Sequence, residues 1–250
     1  MARFLFLIYG VICYGTGLGG ILFFIFLLYS NTPLWSSSDR NSPFTTSVWI
    51  NTGLILLFGI QHSVMARQTF KQHWTRLFSP VIERSTYVLL SGIVLMLICI
   101  YWAPLPGTIW KTDEPLIRSV VTTLQIGGWI LVALSSCLLN HLELFGLQQV
   151  YCFFTNQPEP TQCFSDRYLY KWVRHPIQLG IIIGLWSAPT MTTSRFMLSA
   201  GMTIYILIGL HFEERDLVNR FGIEYLAYRR RVRQLIPLPK RKHPPTSNIE

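Results

Sequence analysis

The sequences KWVRHP (171–176) and EERDL (213–217) place dense charge directly against apolar residues. The hydrophobic stretch between them, 177–212, is predicted to fold as a hairpin of two short helices with a turn at 190–194. Such a hairpin brings Arg174, His175, Glu213 and Glu214 to one membrane–water boundary. Ionisable groups are costly to hold there, so this cluster is a candidate functional site.

Composition predicts an all-α integral membrane protein. Half of the 250 residues are hydrophobic and only 13% are charged, and the charges fall between apolar stretches. A spanning helix needs about 20 apolar residues, and the candidate stretches are 4–29, 47–65, 86–104, 119–140, 177–193 and 196–212. Since the last two are short, five to six spanning helices are expected, including a short C-terminal helical hairpin.

An amphipathic helix is predicted after this hairpin, on the cytoplasmic side. Its apolar stripe follows helical spacing and consists of Val218, Phe221, Tyr225, Tyr228 and Val232. We expect one transmembrane domain over 1–239 and a disordered basic tail over 240–250. The first apolar stretch is too long for the hydrophobic region of a signal peptide, so it is expected to remain as a helix.

The distribution of Lys and Arg predicts the orientation. With the N-terminus inside, the outer loops hold only four of the 21 basic residues, namely Arg40, Lys111, Arg118 and Arg195. The positive-inside rule therefore places both termini in the cytoplasm, in a protein of the cytoplasmic (inner) membrane. Topology and anionic lipid headgroups account for the net charge of +9, so the expected partner is the lipid bilayer and not nucleic acid.

Three polar segments interrupt the apolar stretches on the predicted cytoplasmic side. They are Gln61-His62-Ser63, 140–143 with His141, and Arg174-His175-Pro176. Their common side indicates a shared cavity, although each histidine alone could be an interface residue with satisfied hydrogen bonds. No cysteine or histidine spacing is typical of a metal site, so no metal is expected.

The charged cluster suits a ligand that carries an amine, a carboxylate and a diol. Arginine or histidine can bind a carboxylate, and glutamate can bind an ammonium group or a ribose diol. Aromatic side chains can hold a ring. The residues by themselves define the chemistry of the site no further.

The motif Arg174-His175-Pro176-x-x-x-Gly180 is followed, after the hairpin, by Glu213-Glu214-x-x-Leu217 and a tyrosine-rich helix. This pattern resembles the isoprenylcysteine carboxyl methyltransferase superfamily of membrane enzymes, which also includes phospholipid N-methyltransferases. The resemblance implies a portion at about 162–237 that binds S-adenosylmethionine (SAM). Its implied or candidate cofactor residues are Phe164, Ser165, Tyr170, Arg174, His175, Pro176, Gln178, Glu213 and Glu214.

Two positions depart from the superfamily pattern. The superfamily usually has tyrosine two residues after the proline, where this chain has Gln178. The isoprenylcysteine enzymes have an arginine four residues before the glutamate that serves their prenyl substrate, and here that residue is Gly209. The second departure argues against a prenylcysteine carboxylate as the substrate.

Segments that precede the two motifs indicate one family within this superfamily. QHSVMAR (61–67), ERSTY (83–87), 140–147 and PTMT (189–192) are similar to the methanethiol S-methyltransferase family. This implies methyl transfer from SAM to methanethiol, a small thiol, to give dimethyl sulfide. The thiolate is the nucleophile, so a base is needed. His141 is the first candidate and His62 the second, while the alternative for His141 is a helix-end residue that caps backbone carbonyls.

Other functions remain open at this stage. A related SAM methyltransferase could act on another thiol or on a phospholipid amine. The His-Ser-x-x-x-Arg region also resembles NnrU-type membrane proteins, which include haem-binding isomerases, and there His62 and His141 would bind haem iron. That alternative, like a purely structural membrane protein, leaves Arg174, His175 and Glu213 without a role. The sequence does not determine the oligomeric state.

Overall fold

The computed structural model describes residues 1–30, 43–160, 164 and 166–237. Within this part the chain forms nine α-helices and two short strands, joined in places by single 3-10 turns. The helices are α1 Ala2–Ser30, α2 Phe44–Ala66, α3 Gln68–Leu77, α4 Glu83–Tyr101, α5 Pro115–Leu138, α6 His141–Leu144, α7 Leu147–Thr155, α8 Pro176–Trp186 and α9 Thr193–Arg231. The strands are β1 Thr108–Lys111 and β2 Thr190–Thr192.

Five helices are long and apolar enough to cross a membrane, namely α1, α2, α4, α5 and α9. The prediction of an all-α integral membrane protein is therefore confirmed. The α8 helix has only 11 residues, which at 1.5 Å per residue is about 16 Å and about half of the hydrocarbon thickness. The predicted C-terminal hairpin is present as α8 and α9, with one arm much shorter than the other.

A small antiparallel sheet closes the hairpin at the end opposite His175. Thr108 pairs with Thr192 and Trp110 with Met191, and the Trp110 indole donates a hydrogen bond to the Ala188 carbonyl at 3.0 Å. The sequence predicted only a turn at 190–194. We call this end of the helix bundle the sheet end, and the opposite end, which carries Arg67, Arg84 and His175, the site end.

Buried Arg195 closes two helix ends near the sheet end. Its guanidinium donates to the Leu28 carbonyl at 2.6 Å, in the last turn of α1, and to the Leu185 carbonyl at 3.4 Å, in the last turn of α8. Carbonyls at helix C-termini carry partial negative charge that a cation stabilises. The sequence assigned Arg195 to an outer loop, but it lies in the first turn of α9. There its hydrogen bonds to these carbonyls hold it inside the bundle.

Close backbone packing joins α5 to α8. Gly128 lies against the middle and second half of α8, where an added Cβ would be 2.7 Å from both the Gly180 carbonyl oxygen and the Gly184 nitrogen. Only a residue without a side chain allows the two backbones to approach so closely. Because α8 begins directly after His175, this contact also sets the position of the charged residues Arg174 and His175.

Replacing Gly128 with leucine is expected to push α8 away from α5 and to reduce both stability and ligand binding. Overpacking of this kind costs about 1–3 kcal/mol or more. Gly127 is the matched control, since an added Cβ there meets no atom within 4 Å. Thermal melting in detergent should show a lower midpoint for Gly128→Leu than for Gly127→Leu, and equal midpoints would contradict this role for the packing.

The predicted amphipathic helix corresponds to the last part of α9, which a break separates from the spanning part. The two parts meet at Gly222, whose φ of 56° and ψ of −127° break the helical geometry. A side chain would be strained at this positive φ, which explains why glycine stands there. The predicted disordered tail at 240–250 lies outside the described residues.

Candidate functional site

The segment 173–175 is held by the residues that follow α9. Val173 and Arg233 form a parallel bridge, the Arg174 amide donates to the Arg233 carbonyl at 2.9 Å, and the His175 amide donates to the Gln234 carbonyl at 3.2 Å. Pro176 then occupies the first turn of α8, where a missing N–H costs nothing. The two charged sequences are thus joined through the backbone as well as through side chains.

Arg174 and Glu214 form a buried ion pair at this junction. Arg174 Nε and Nη2 lie 2.7 and 2.5 Å from Glu214 Oε1, and their side chains are only 7% and 11% exposed. Arg174 also donates to the carbonyls of Val232 and Arg229. Both residues were predicted to contact the cofactor, but in the structure they bind each other and neighbouring carbonyls. In these positions they orient the neighbouring His175 and Glu213.

Glu213 faces a different direction from Glu214, since adjacent helix residues lie about 100° apart. Its side chain is 47% exposed, and its Oε2 accepts a hydrogen bond from Gln178 Nε2 at 3.2 Å. His175 lies between the two glutamates, with Nε2 3.2 Å from Glu214 and Nδ1 3.8 Å from Glu213. A carboxylate offers about four acceptor positions, so Glu213 retains capacity for a ligand.

Aromatic residues surround the other side of the charged segment. The Tyr170 hydroxyl donates to the Ser135 carbonyl at 3.3 Å, and the Tyr228 hydroxyl donates to the Tyr170 carbonyl at 2.7 Å. The ring of Phe164 lies 5.1 Å from that of Tyr228 and 5.9 Å from that of Tyr225. Burial raises the pKa of Tyr170, which keeps its hydroxyl neutral. Ser165 lies outside the described residues.

His62 is the centre of a hydrogen-bonded array on α2 and α4. Its Nε2 lies 2.5 Å from the Tyr87 hydroxyl and its Nδ1 3.1 Å from the Ser91 hydroxyl. The imidazole stacks on Phe58 at 5.2 Å and meets the edge of Tyr205 at 6.2 Å. The ring is therefore fixed in orientation by contacts on all sides.

His141 forms a second array of the same composition. Its Nε2 lies 3.0 Å from the Tyr14 hydroxyl and its Nδ1 2.7 Å from the Ser136 hydroxyl. The ring stacks on Phe145 at 4.5 Å. Burial lowers the pKa of His141 below its ordinary value of 6.5, so the imidazole is neutral at pH 7. Both nitrogens contact hydroxyls, so the predicted alternative of carbonyl capping is wrong.

Arg84 connects these arrays to the charged segment. Its Nε donates to the Leu144 carbonyl at 2.8 Å, and its guanidinium carbon lies 4.9 Å from the centre of the Tyr87 ring. The Arg84 charge acts electrostatically on Glu213 and on His62. The site end thus gathers His62, Arg84 and Glu213 from three different helices.

Sequence reasoning missed four hydroxyl residues of the site: Tyr14, Ser91, Ser136 and Tyr205. Each lies within a spanning helix, where an individual tyrosine or serine carries no periodic signal. Arg84 and Tyr87 did stand in a motif that carried the family resemblance, but without an assigned role. The predicted positions His62, His141, His175 and Glu213 all lie at the site end.

The chain is similar to curated methyltransferases over most of its length. It is 44% identical over 200 residues to the methanethiol S-methyltransferase of Mycobacterium tuberculosis, covering 80% of this chain and 82% of that protein. It is 40% identical over 242 residues to methanethiol S-methyltransferase 1 of Bradyrhizobium diazoefficiens, covering 94% and 83%.

A more distant similarity joins the chain to nurim of Xenopus laevis, with 30% identity over 207 residues and coverage of 78% and 68%. No family model and no solved structure matches the chain. Several methanethiol S-methyltransferases align with this chain at 36–44% identity over 80–97% of its length. The chain belongs to the methanethiol S-methyltransferase family.

Proposed function

We propose that this chain transfers a methyl group from SAM to methanethiol and releases dimethyl sulfide at the site end. The observation that carries the proposal is the open carboxylate of Glu213, which lies in electrostatic range of Tyr87 and its partner His62. A group for a cationic cofactor and a candidate group for proton removal thus lie at the same end of the bundle. The relatives are named for this reaction, and nurim is named for no activity.

The charges and aromatic side chains of the site suit SAM. Glu213 is half exposed and its acceptor capacity is only partly used, which suits an ammonium group or a ribose diol. Gly209 lies one turn earlier on α9, and an added Cβ there meets no atom within 4 Å. Phe164 packs on the buried rings of Tyr225 and Tyr228, is itself partly exposed and offers a surface for a ring. Arg174 and Glu214 position these groups, and Gln178 orients Glu213.

When bound, SAM supplies an electrophilic methyl group that the thiolate sulfur attacks. The new S–C bond takes the electron pair of the thiolate, and the old S–C bond returns its pair to the cofactor sulfur. The protein holds the acceptor in line, and alignment of this kind can contribute about 7–11 kcal/mol. The thiol proton passes to a histidine, directly or through the hydroxyl bonded to it.

We propose His141 as the base and His62 as the second candidate. His141 is the first residue of α6 and is only partly buried, so its proton can pass on to water. Its lowered pKa keeps the imidazole able to accept a proton throughout the neutral range. A base whose pKa is depressed is lost only at low pH, so the acid limb of the pH–rate profile should lie below pH 6.5.

Replacing His141 with glutamine is expected to lower kcat by about 100- to 10,000-fold, the usual contribution of a general base. The dissociation constant of SAM should change little. His73→Gln is the control, because His73 is an exposed histidine on α3. If His141→Gln keeps kcat while His62→Gln loses it, the base is His62, and full activity in both variants would exclude either histidine.

We infer that the site end faces the cytoplasm, with both termini on that side of the inner membrane. Arg67, Lys71 and Arg76 lie together there, which agrees with the positive-inside rule. SAM and small thiols are soluble in the cytoplasm, so this orientation gives both ligands direct access. Labelling of single cysteines placed at Arg76 and Lys111 with an impermeant reagent would test it.

A headspace assay tests the proposed function. Purified protein in detergent is incubated with SAM and methanethiol, and dimethyl sulfide is measured by gas chromatography. We expect product that depends on both substrates. Binding of SAM without product from methanethiol would assign a different acceptor, either another thiol or a phospholipid amine. Absence of SAM binding together with a haem Soret band would favour an NnrU-type protein.

The structure itself gives little support to haem binding. Each ring nitrogen of His62 and His141 is already hydrogen-bonded to a hydroxyl. Ligation of iron by either residue would break one of these bonds. The haem alternative also leaves Glu213 and Gln178 without a ligand.

A further inference from the structure

Arg84 is a charged residue at the site end that neither the sequence motif nor the proposed cofactor site explains. It lies in the first turn of α4, next to Glu83. Glu83 forms its ion pair with Lys71, at 3.7 Å, and not with Arg84. Among the residues that the structure describes, no carboxylate forms an ion pair with Arg84.

The guanidinium of Arg84 is fixed at one side and open at the other. Its Nε is bonded to the Leu144 carbonyl, and its plane lies against the Tyr87 ring. Within the described chain its two terminal nitrogens make no hydrogen bond to protein. A guanidinium has five N–H donors, so this arrangement presents a preoriented pair of donors to a ligand. An anion is the natural occupant.

The surroundings of Arg84 suit a small anion with an apolar part. Met65, Tyr87 and Val88 form a buried apolar cluster, against which Phe70 and Phe145 pack. Tyr87 places its ring against Arg84 and its hydroxyl 2.5 Å from His62. A cation and a proton acceptor are therefore both adjacent to one ring, with apolar side chains beside them.

We propose that Arg84 binds the acceptor as its thiolate. This inference rests on the proposed function, since it identifies the form in which the small thiol is held. A neighbouring arginine stabilises the deprotonated sulfur and thereby increases the fraction of thiolate at neutral pH. The S–H bond breaks, its proton goes to a histidine, and the sulfur keeps the electron pair that later forms the S–CH3 bond.

The other charged groups near Arg84 leave its positive charge available for the acceptor. The charge of Arg84 acts on His62, Lys71, Tyr87 and Glu213, and Glu83 precedes it in the chain. Glu83 is paired with Lys71, and the direct contacts of Glu213 are with Gln178 and His175. A cationic ligand bound at Glu213 would balance that carboxylate and leave the positive charge of Arg84 for the acceptor.

The test compares Arg84→Gln and Arg84→Lys with Arg76→Gln, an exposed arginine on α3 at the same end of the bundle. We expect Arg84→Gln to lower kcat/KM for methanethiol at pH 7 by about 10- to 100-fold, the range for a lost hydrogen bond to a charged group. Activity of the variant should recover as the pH rises, because free thiolate then becomes available. Arg84→Lys should retain part of the activity.

Two further measurements distinguish binding of the thiolate by Arg84 from binding of SAM by the same residue. A thiol with an electron-withdrawing substituent, such as trifluoroethanethiol, is ionised to a much larger fraction at neutral pH than methanethiol, so its ratio of wild-type to Arg84→Gln rates should be smaller. The dissociation constant of SAM, measured by calorimetry, should be unchanged. Weaker SAM binding with no change in pH profile would overturn the inference and assign Arg84 to the cofactor carboxylate.

Failure of this inference is distinguishable from failure of the proposed function. If the wild-type protein forms no dimethyl sulfide, the proposed function fails. If the wild type is active and Arg84→Gln matches Arg76→Gln in rate, pH profile and thiol preference, only the role of Arg84 fails. A folded Arg84→Lys variant keeps the test valid where Arg84→Gln loses its contact with Leu144 and does not fold.

Discussion

Replacing Glu213 with glutamine is expected to weaken SAM binding by about 10- to 100-fold and to remove most dimethyl sulfide formation. A hydrogen bond to a charged group contributes about 1.5–3 kcal/mol, which corresponds to this range. Glutamine keeps the size of the side chain but loses the negative charge that attracts a cationic cofactor. It also replaces one acceptor oxygen with an N–H donor, which leaves a single oxygen to accept from Gln178 or from a ligand.

Glu224→Gln is the matched control for this experiment. Glu224 lies on the same helix, is exposed and lies beyond the break at Gly222. Calorimetry of SAM binding and the headspace assay should show the control equal to the wild type. A dissociation constant for Glu213→Gln within twofold of the wild type would place the cofactor elsewhere, and the reduced activity of the variant would then need another cause.

Replacing Glu214 with glutamine should instead destabilise the protein, by about 3–5 kcal/mol. Removal of one partner from a buried ion pair leaves the other charge without compensation, and Arg174 is only 7% exposed. The loss also frees the segment 173–175, which the pair holds against the end of α9. We expect a lower midpoint in thermal melting and a loss of activity that follows unfolding.

A double-mutant cycle separates the pair from its surroundings. Arg174→Met combined with Glu214→Leu should be less destabilised than Glu214→Leu alone, since both charges are then absent. The exposed pair of Arg231 and Asp166, at 3.1 Å with side chains 67% and 40% exposed, is the control. Arg231→Gln should cost under about 1 kcal/mol. Additive effects of Arg174→Met and Glu214→Leu would show that the two residues act independently.

Hydrophobic runs sufficed to predict the membrane class and the helical hairpin. A stretch such as 4–29 must be helical in a bilayer because its backbone groups find no partner in lipid. The same reasoning failed for 177–193, since apolar residues alone do not show how far a helix continues. The α8 helix ends at Trp186 because the chain then forms β2, and its pairing with β1 depends on residues some 80 positions earlier.

Proximity of the charged groups could be predicted, but their pairing could not. Glu213 and Glu214 are identical residues next to each other, and only packing decides which one is buried against Arg174. Gln178 departs from the superfamily pattern in sequence, and the structure shows its amide bonded to Glu213. Nothing in the sequence indicated that Tyr14, in the first helix, would meet His141.

The sequence by itself determined the membrane-spanning helices, the hairpin and the meeting of Arg174, His175 and Glu213 at one end. These follow from local hydrophobicity and from the order of the motifs along the chain. Only the tertiary structure decided the partners of His62 and His141, the open carboxylate of Glu213 and the free face of Arg84. Those features depend on distances between side chains of different helices, which helix packing sets and no local pattern records.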